Sequence, residues 1–184
     1  MNSRERIRSA IEHRSPDRVP IDLGAMRSTG IMAIAYNALK GELGYGALPT
    51  RPYDLIQQLA YPDDKILDRF QDDVVDLGNL MTRDASLWME WELPDGSLCW
   101  VPRWFKPVYS AQKRRYEVID ADGDLIGIMP EGCLYFEQAC YPLIRGELPA
   151  TTEELRAKMG KVIWSYLPCS PWDRAQQEDY WEWL

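Results

Sequence analysis

The chain has 184 residues, 46% of them apolar, and a formal charge of −8. This length suits one domain with a hydrophobic core, and the acidic balance argues against nucleic-acid binding because a phosphate backbone would be repelled. No apolar run approaches the roughly 20 residues that cross a bilayer, and the charged N-terminus lacks the apolar stretch of a signal peptide, so we predict a cytoplasmic protein without membrane contact.

The first predicted elements are a helix and a buried strand. Asn2 and Glu5 have the spacing of a capping box, which predicts a helix that begins there. A loop over residues 13–18 ends it. The apolar run 19–24, closed by glycine, is typical of a buried parallel strand.

The next segments continue an alternation of helices and strands. Hydroxyl and proline signals predict helices over 28–43, over 51–60 and from Pro62 through Phe70. Residues 73–78 then form a second short apolar run. Strands separated by helices favour a parallel sheet.

The periodicity changes to two at Trp88, which predicts antiparallel strands. Turn residues separate the runs and indicate two β-hairpins, formed by 88–93 with 98–101 and by 116–119 with 125–128. The β-rich segment 88–136 therefore interrupts the helix and strand alternation as an insertion.

The turn Asp120–Asp124 superficially resembles a calcium-binding loop, with Glu131 at the twelfth position. Leu125 stands where such a loop requires glycine, and the flanks are predicted strands rather than helices. A hairpin turn is the favoured interpretation because Asp and Gly are typical of turns.

The chain closes with two predicted helices. Thr151 caps a short one, and Trp172 begins another that is still running at Leu184. Two parallel strands cannot close a barrel or complete a doubly wound sheet. We therefore expect a domain that stops before its active site is complete.

Few residues suggest catalysis or metal binding by themselves. His13, the single histidine, lies near the end of an exposed predicted helix, where a charge near the helix dipole is its commonest role. Because the sequence has no second histidine, neither a His-rich zinc site nor a catalytic triad can be built around another imidazole. Cys133 and Cys140 lack zinc-ligand spacing and are predicted to be core thiols.

Two places are better candidates for a ligand site. Residues 22–30 follow the first predicted strand, at the edge where α/β folds bind ligands, and Arg27 can clamp a carboxylate there. Asp72 and Asp73 open the second predicted strand, with Asp76, Gly78 and Asn79 toward its far end. From spacing alone, solvated acids and a ligand role are equally good interpretations of these residues.

Several stretches resemble the uroporphyrinogen decarboxylase-like family, which includes that decarboxylase and methyltransferases that act between corrinoid proteins and thiols. The resemblance extends over nearly the whole chain and rests on many separate stretches. Four of them lie within residues 2–78: NSRERIRSAIEHRSPDRVPIDLG, STGIMAIAYNALKGELG, PYDLIQQLA and LDRFQDDVVDLG. The stretch GIMPEGCLYFEQACYPL is similar to the divergent, methyltransferase-like branch.

The resemblance implies the N-terminal part of a (β/α)8 TIM barrel with a β-hairpin-rich insertion. Residues 1–184 would form one incomplete domain of that family. Within it, 1–87 would supply the N-terminal helix and first barrel units, 88–136 the insertion, and 137–184 a return segment with helices.

The resemblance also implies site residues. Met26, Arg27 and Gly30 match a stretch that grips substrate carboxylates, although Ile31 stands where that stretch has a second arginine. Asp73 matches the catalytic aspartate that contacts a pyrrole. The zinc-binding His-x-Cys of the methyltransferases does not occur in this sequence, so zinc and corrinoid are implied only for a complete relative.

The leading hypothesis from the resemblance is a truncated tetrapyrrole-linked methyltransferase, whose complete form moves methyl from a methylcorrinoid to a thiol. The alternatives are uroporphyrinogen decarboxylase of porphyrin biosynthesis and a non-catalytic half that assembles with a second chain. The implied partners are a small-molecule or tetrapyrrole substrate, and a corrinoid protein or complementary barrel half. This chain alone is expected to be inactive.

Overall fold

The computed structural model of the protein describes residues 1–76, 84–144 and 148–162. Helices and sheets are mixed along these residues, which confirms the predicted α/β character at the coarse level. The helices are α1 (Ser3–Ile11), α2 (Ala33–Glu42), α3 (Asp64–Phe70) and α4 (Thr152–Met159). The strands are β1 (Ile31–Met32), β2 (Pro52–Asp54), β3 (Leu59–Ala60), β4 (Trp88–Glu92), β5 (Leu98–Pro102), β6 (Val108–Ser110), β7 (Arg115–Ile119), β8 (Leu125–Pro130) and β9 (Glu137–Gln138).

The strands form three sheets in the orders β1-β3-β2, β4-β5 and β6-β7-β8-β9. Every strand pair in the described ranges is antiparallel, so the parallel sheet expected from the alternation of elements is not found there. None of the helices in these ranges is long and apolar enough to cross a membrane.

The first helix begins as its sequence predicts. The Asn2 side chain accepts a hydrogen bond from the Glu5 N–H, and the Glu5 side chain accepts one from the Asn2 N–H. This reciprocal capping satisfies two amide donors that a helix N-terminus would otherwise leave without partners.

The two segments predicted as barrel strands do not form regular strands. Residues 19–24 and 72–76 have no strand geometry, and residues 77 and 78 lie outside the described residues. The two segments nevertheless lie side by side, because the Asp73 N–H donates to the Ile21 carbonyl over 2.9 Å. Side-chain carboxylates take the backbone N–H groups of Ile21, Leu23 and Val74, which a strand ladder would otherwise use.

The predicted helix over 51–60 is wrong. Residues 52–54 and 59–60 form β2 and β3, joined by a tight turn in which Gln58 has a positive φ of 55°. The Asp54 carboxylate accepts the N–H groups of Ile56 and Gln57, each over 2.9 Å. These bonds stabilise a turn where the sequence predicted the first turn of a helix. An Asp side chain can compete in this way with the backbone hydrogen bonds of a helix.

The helix predicted over 28–43 begins later, at Ala33. Residues 27–29 form a 3-10 turn and β1 follows, because Ile31 and Met32 pair with Ala60 and Leu59. The helix predicted from Pro62 through Phe70 is confirmed as α3.

Both predicted hairpins are confirmed. β4 and β5 pair in continuous register from Trp88 opposite Pro102 to Glu92 opposite Leu98. β7 and β8 are joined by the turn predicted over 120–124, in which Gly123 has a φ of +89° that favours glycine.

One core cluster joins α2, the 55–66 region and the β-rich segment. Phe105 and Phe136 pack with ring centroids 5.2 Å apart in an edge-to-face arrangement, and Trp91 contacts both rings. Trp91, Phe105 and Phe136 therefore share one core with residues of α2 and α3 rather than forming a layer of their own.

The C-terminal described segment contains α4, which Thr151 caps by accepting the Glu154 N–H. The helix predicted from Trp172 lies outside the described residues. Of the cysteines in the described ranges, Cys99 is buried, Cys140 is partly buried and Cys133 is exposed. The prediction of a core thiol is wrong for Cys133, which follows the exposed turn after β8. Cys140, in contrast, packs against the edge of the core cluster.

Candidate functional site

The loop after residues 19–22 is held in shape by Asp22. Its Oδ1 accepts the Ala25 N–H over 2.9 Å and the Thr29 hydroxyl over 3.0 Å, and the Gly24 N–H donates to the Thr29 carbonyl. Gly24 has a φ of +85°, and a Cβ there would lie 2.8 Å from Pro62 Cγ. Asp22 and Gly24 thus set the loop that carries the predicted substrate-gripping residues.

Residues 72 and 73 approach this loop from the second segment. Asp72 Oδ1 accepts the Leu23 N–H over 2.7 Å, and Asp73 Oδ2 accepts the Ile21 N–H over 2.9 Å. The structure therefore brings the first candidate region, 22–30, into contact with Asp72 and Asp73 of the second, whose Gly78 and Asn79 lie outside the described residues.

Asp73 is enclosed by arginines. Its side chain is 0% exposed, its Oδ1 pairs with Arg6, and its Oδ2 lies 2.6 Å from Arg18 Nη1. Arg6 also binds Asp17 over 2.7 Å. In this arrangement the Asp73 carboxylate anchors α1 and the following loop, and its predicted catalytic contact with substrate stays a prediction.

The two neighbouring aspartates have opposite electrostatic environments. Burial opposes ionisation of Asp73, but hydrogen bonds from Ile21, Ser3, Arg18 and Arg6 outweigh it and hold the pKa of this carboxyl well below its usual range. Burial raises the pKa of Asp72 although the carboxylate accepts the N–H groups of Leu23 and Val74, and the nearby charges of Asp22 and Asp73 act in the same direction as burial. Asp73 is therefore a firmly charged anchor, whereas Asp72 gains protons more readily.

Arg27 is the predicted substrate clamp and lies at the surface. Its Nε is 2.9 Å from Asp54 Oδ2, and its side chain is 49% exposed, whereas that of Asp54 is 0% exposed. Asp54 is itself fixed by the turn between β2 and β3. A buried carboxylate thus orients a solvent-accessible guanidinium, which is a suitable arrangement for meeting an anionic group from solvent.

Tyr53 packs beneath this arginine loop. Its hydroxyl donates to the Met26 carbonyl over 3.1 Å, and its ring centroid lies 4.8 Å from that of Tyr61. Burial, with the nearby charges of Asp54 and Asp76, raises the pKa of Tyr53 to about 12. Tyr53 is therefore a neutral donor that fixes the backbone of the loop.

Gly30 and Met26 have different positions in this loop. A Cβ on Gly30 would lie 2.5 Å from the Tyr53 hydroxyl and 2.8 Å from Leu59 Cδ1, so only glycine permits this close packing. The Met26 side chain is 55% exposed. Met26 is thus available to a ligand, whereas Gly30 acts through packing.

A small cleft opens next to the loop, with a volume of about 70 Å³. Leu23, Gly24, Pro62 and Val74 form part of its lining, together with Asp76. Pockets that enclose a drug-sized ligand have roughly 300 Å³ or more, so this cleft alone does not enclose a tetrapyrrole. Such a ligand would contact the Arg27 surface rather than enter the cleft.

Sequence reasoning missed Tyr53 and Asp54. The segment that contains them was interpreted as the start of a helix, on the basis of the preceding proline. Arg6 and Arg18, which bind Asp73, were also missed because their sequence separation from it is large. The signal that could have found Asp54 is the tendency of an Asp side chain to accept the amides two and three residues ahead of it, here those of Ile56 and Gln57, in an Asx turn.

The implied zinc does not fit the described residues. Within 1–76, 84–144 and 148–162, no group of three or more His, Cys, Asp or Glu side chains is arranged to hold a metal ion. No protein-family model, curated protein or solved structure gives a significant match to this chain.

Proposed function

We propose that this chain is the N-terminal part of a uroporphyrinogen decarboxylase-like protein of the methyltransferase-like branch. Its role in that protein is to bind, through the Met26–Gly30 loop, a carboxylate- or amide-bearing tetrapyrrole. The methyl transfer from corrinoid to thiol belongs to the complete enzyme, because zinc does not fit the residues described in this part of the chain.

The observation that carries the proposal is the contact between residues 19–24 and 72–76. In a (β/α)8 barrel the first two strands are neighbours, and the ligand site lies at their carboxyl ends. The hydrogen bond from Asp73 N–H to the Ile21 carbonyl joins the two segments, and Arg27 follows directly after the first of them. The two segments thus lie side by side, as neighbouring barrel strands would, and this adjacency is the basis for proposing a ligand surface at their edge.

The contributions of individual residues follow from their contacts. Arg27 supplies the positive charge for an anionic substituent, and Asp54 orients it through the ion pair to Nε. Tyr53 holds the loop through its hydrogen bond to the Met26 carbonyl, and Gly30 lets the loop pack closely against Leu59 of β3. Asp73 secures the second segment, and its contact with a reacting pyrrole is part of the proposal for the complete protein only.

Calorimetric titration of the purified chain with two probes, uroporphyrin and hydroxocobalamin, tests this proposal. We expect saturable binding of one probe and about tenfold weaker binding by Arg27→Gln, since a charge-assisted hydrogen bond is worth roughly 1.5–3 kcal/mol. Arg4→Gln is the matched control, because Arg4 is exposed on α1 and its substitution removes the same charge.

The two probes separate the branches of the family. Preference for hydroxocobalamin supports the methyltransferase-like proposal, and preference for uroporphyrin supports the decarboxylase. Failure to bind either probe, or equal weakening by Arg27→Gln and Arg4→Gln, would contradict a ligand surface at Arg27. Because the chain carries a charge of −8, both titrations should be repeated at raised ionic strength to reduce repulsion of the anionic porphyrin.

A further inference from the structure

Three carboxylates of the turn between β7 and β8 converge on one ammonium group. Lys161 Nζ lies 2.9 Å from Asp120, 2.6 Å from Asp122 and 2.8 Å from Asp124. Lys161 follows α4 after a single residue. The turn therefore binds the chain at the point where this helix ends.

The turn is built to hold these carboxylates in place. Asp120 Oδ1 accepts the N–H groups of Asp122 and Asp124 over 3.0 and 2.8 Å, while its Oδ2 faces Lys161. The Asp120 side chain is only 3% exposed. Without a cation at this position, three like charges would repel one another within five residues of chain.

Apolar burial of α4 itself is partial. No residue of this helix is buried, and its apolar side chains Leu155 and Met159 are 39% and 36% exposed. Val162, just beyond the lysine, is 9% exposed. Since stabilisation by apolar burial scales with the area removed from water, the ionic cluster carries a large share of the attachment.

The end of the attached helix contributes to an apolar groove of about 390 Å³. Its lining includes Met159 and Val162 together with Tyr141, Leu143 and Ile144. Movement of α4 away from residues 141–144 would open this groove and expose its apolar surface to water.

We propose that Lys161 and the three aspartates form an electrostatic latch that holds α4 on the β7–β8 hairpin and keeps the apolar groove closed on one side. Neutralising the lysine, or screening it with salt, releases the helix. The latch makes the exposure of this groove depend on ionic strength.

Hydrogen exchange of the full chain, followed by mass spectrometry, tests the latch. We expect peptides from residues 148–162 to exchange about tenfold faster in Lys161→Gln, with little change in β7 and β8. Lys161→Arg keeps the charge and should retain protection. Lys106→Gln is the matched control, because Lys106 is exposed and distant in sequence from the cluster.

The salt dependence of exchange distinguishes an electrostatic role of Lys161 from a role in packing alone. In the wild type, raising sodium chloride from about 0.1 M to about 1 M shortens the Debye length from roughly 10 Å to roughly 3 Å and should speed exchange in α4. This salt dependence should vanish in Lys161→Gln. Equal α4 exchange in Lys161→Gln and wild type, or the same salt dependence in both, would overturn the proposal.

Discussion

The Asp73 carboxylate joins parts of the chain that are distant in sequence. It binds Arg6 of α1, Arg18 of the following loop and the N–H of Ile21. A buried carboxylate with this many partners stabilises the fold in its charged form, because each partner offsets part of the cost of burying the charge.

Asp73→Asn should lower the free energy of unfolding by roughly 2 kcal/mol, because hydrogen bonds to charged groups are lost while Arg18 stays partly solvated. Urea denaturation followed by circular dichroism measures the change. Asp68→Asn is the control, since Asp68 is exposed on α3. An equally small effect of both substitutions would contradict the anchoring role of Asp73.

The contribution of Asp73 should also depend on pH. Its pKa is lowered in the folded protein, so the unfolded chain binds the proton first as the pH falls. The stabilisation is complete above the ordinary aspartate pKa of about 4 and is lost as the pH falls toward the lower folded value. The stability difference between wild type and Asp73→Asn should therefore be largest near neutral pH and shrink below pH ~4. A difference that grows toward acid pH would contradict this.

Two glycines provide a matched test of packing. A Cβ on Gly30 would meet Tyr53 and Leu59 at under 3 Å, whereas one on Gly41 of α2 meets nothing within 4 Å. Gly30→Ala should destabilise by roughly 1–3 kcal/mol through overpacking. Gly41→Ala should stabilise by roughly 0.5–1 kcal/mol, because alanine is the better helix former. Thermal unfolding of both variants measures whether each substitution raises or lowers stability, and destabilisation by both would refute the packing argument.

At the scale of elements, the turn between β2 and β3 links the fold to the candidate site. Asp54 makes this turn through the amides of Ile56 and Gln57, and the same carboxylate orients Arg27. One side chain therefore decides both the local structure and the position of the proposed ligand-binding cation.

Asp54→Ala should cost roughly 2–3 kcal/mol of unfolding free energy, because the turn amides lose their acceptor in a buried setting. Asp54→Asn keeps an acceptor oxygen for those amides and should cost about 1 kcal/mol less. Urea denaturation of the pair distinguishes turn formation from the ion pair. If the two variants were equally destabilised, the ion pair with Arg27 rather than the turn would dominate.

At the scale of the whole molecule, one core cluster connects the helices with the β-rich segment. Cys99 lies in this cluster at 1% exposure, and burial together with the charge of Asp95 raises the pKa of its thiol to about 12. A thiol reagent attacks the thiolate and needs access, so Cys99 should react only when the core opens.

Cys99 labelling should thus report global unfolding. In urea, its labelling midpoint should coincide with that of circular dichroism, whereas exposed Cys133 should react in the native protein. Mass spectrometry of peptides after a short thiol pulse measures both. Labelling of Cys99 at urea concentrations well below the circular dichroism midpoint would show that the β-rich segment opens independently.

What the sequence determined by itself is mostly local. The Asn2 and Glu5 capping box, the two hairpins with their Asp and Gly turns and the Thr151 cap were all predicted, because each depends on residues only a few positions apart. For the candidate site, the sequence brought forward Arg27, Gly30 and Asp73. The residues that these three contact could not be predicted from it.

Only the tertiary structure decided the elements and contacts that depend on distant partners. Residues 52–54 and 59–60 became strands joined by a turn because Leu59 and Ala60 pair with β1 and Asp54 competes for the turn amides. Asp73 became an anchor because Arg6 and Arg18 enclose it, and Lys161 meets three aspartates some 40 residues before it. Such pairings are set by how packed elements meet in space, and the short-range periodicity of a sequence carries no record of them.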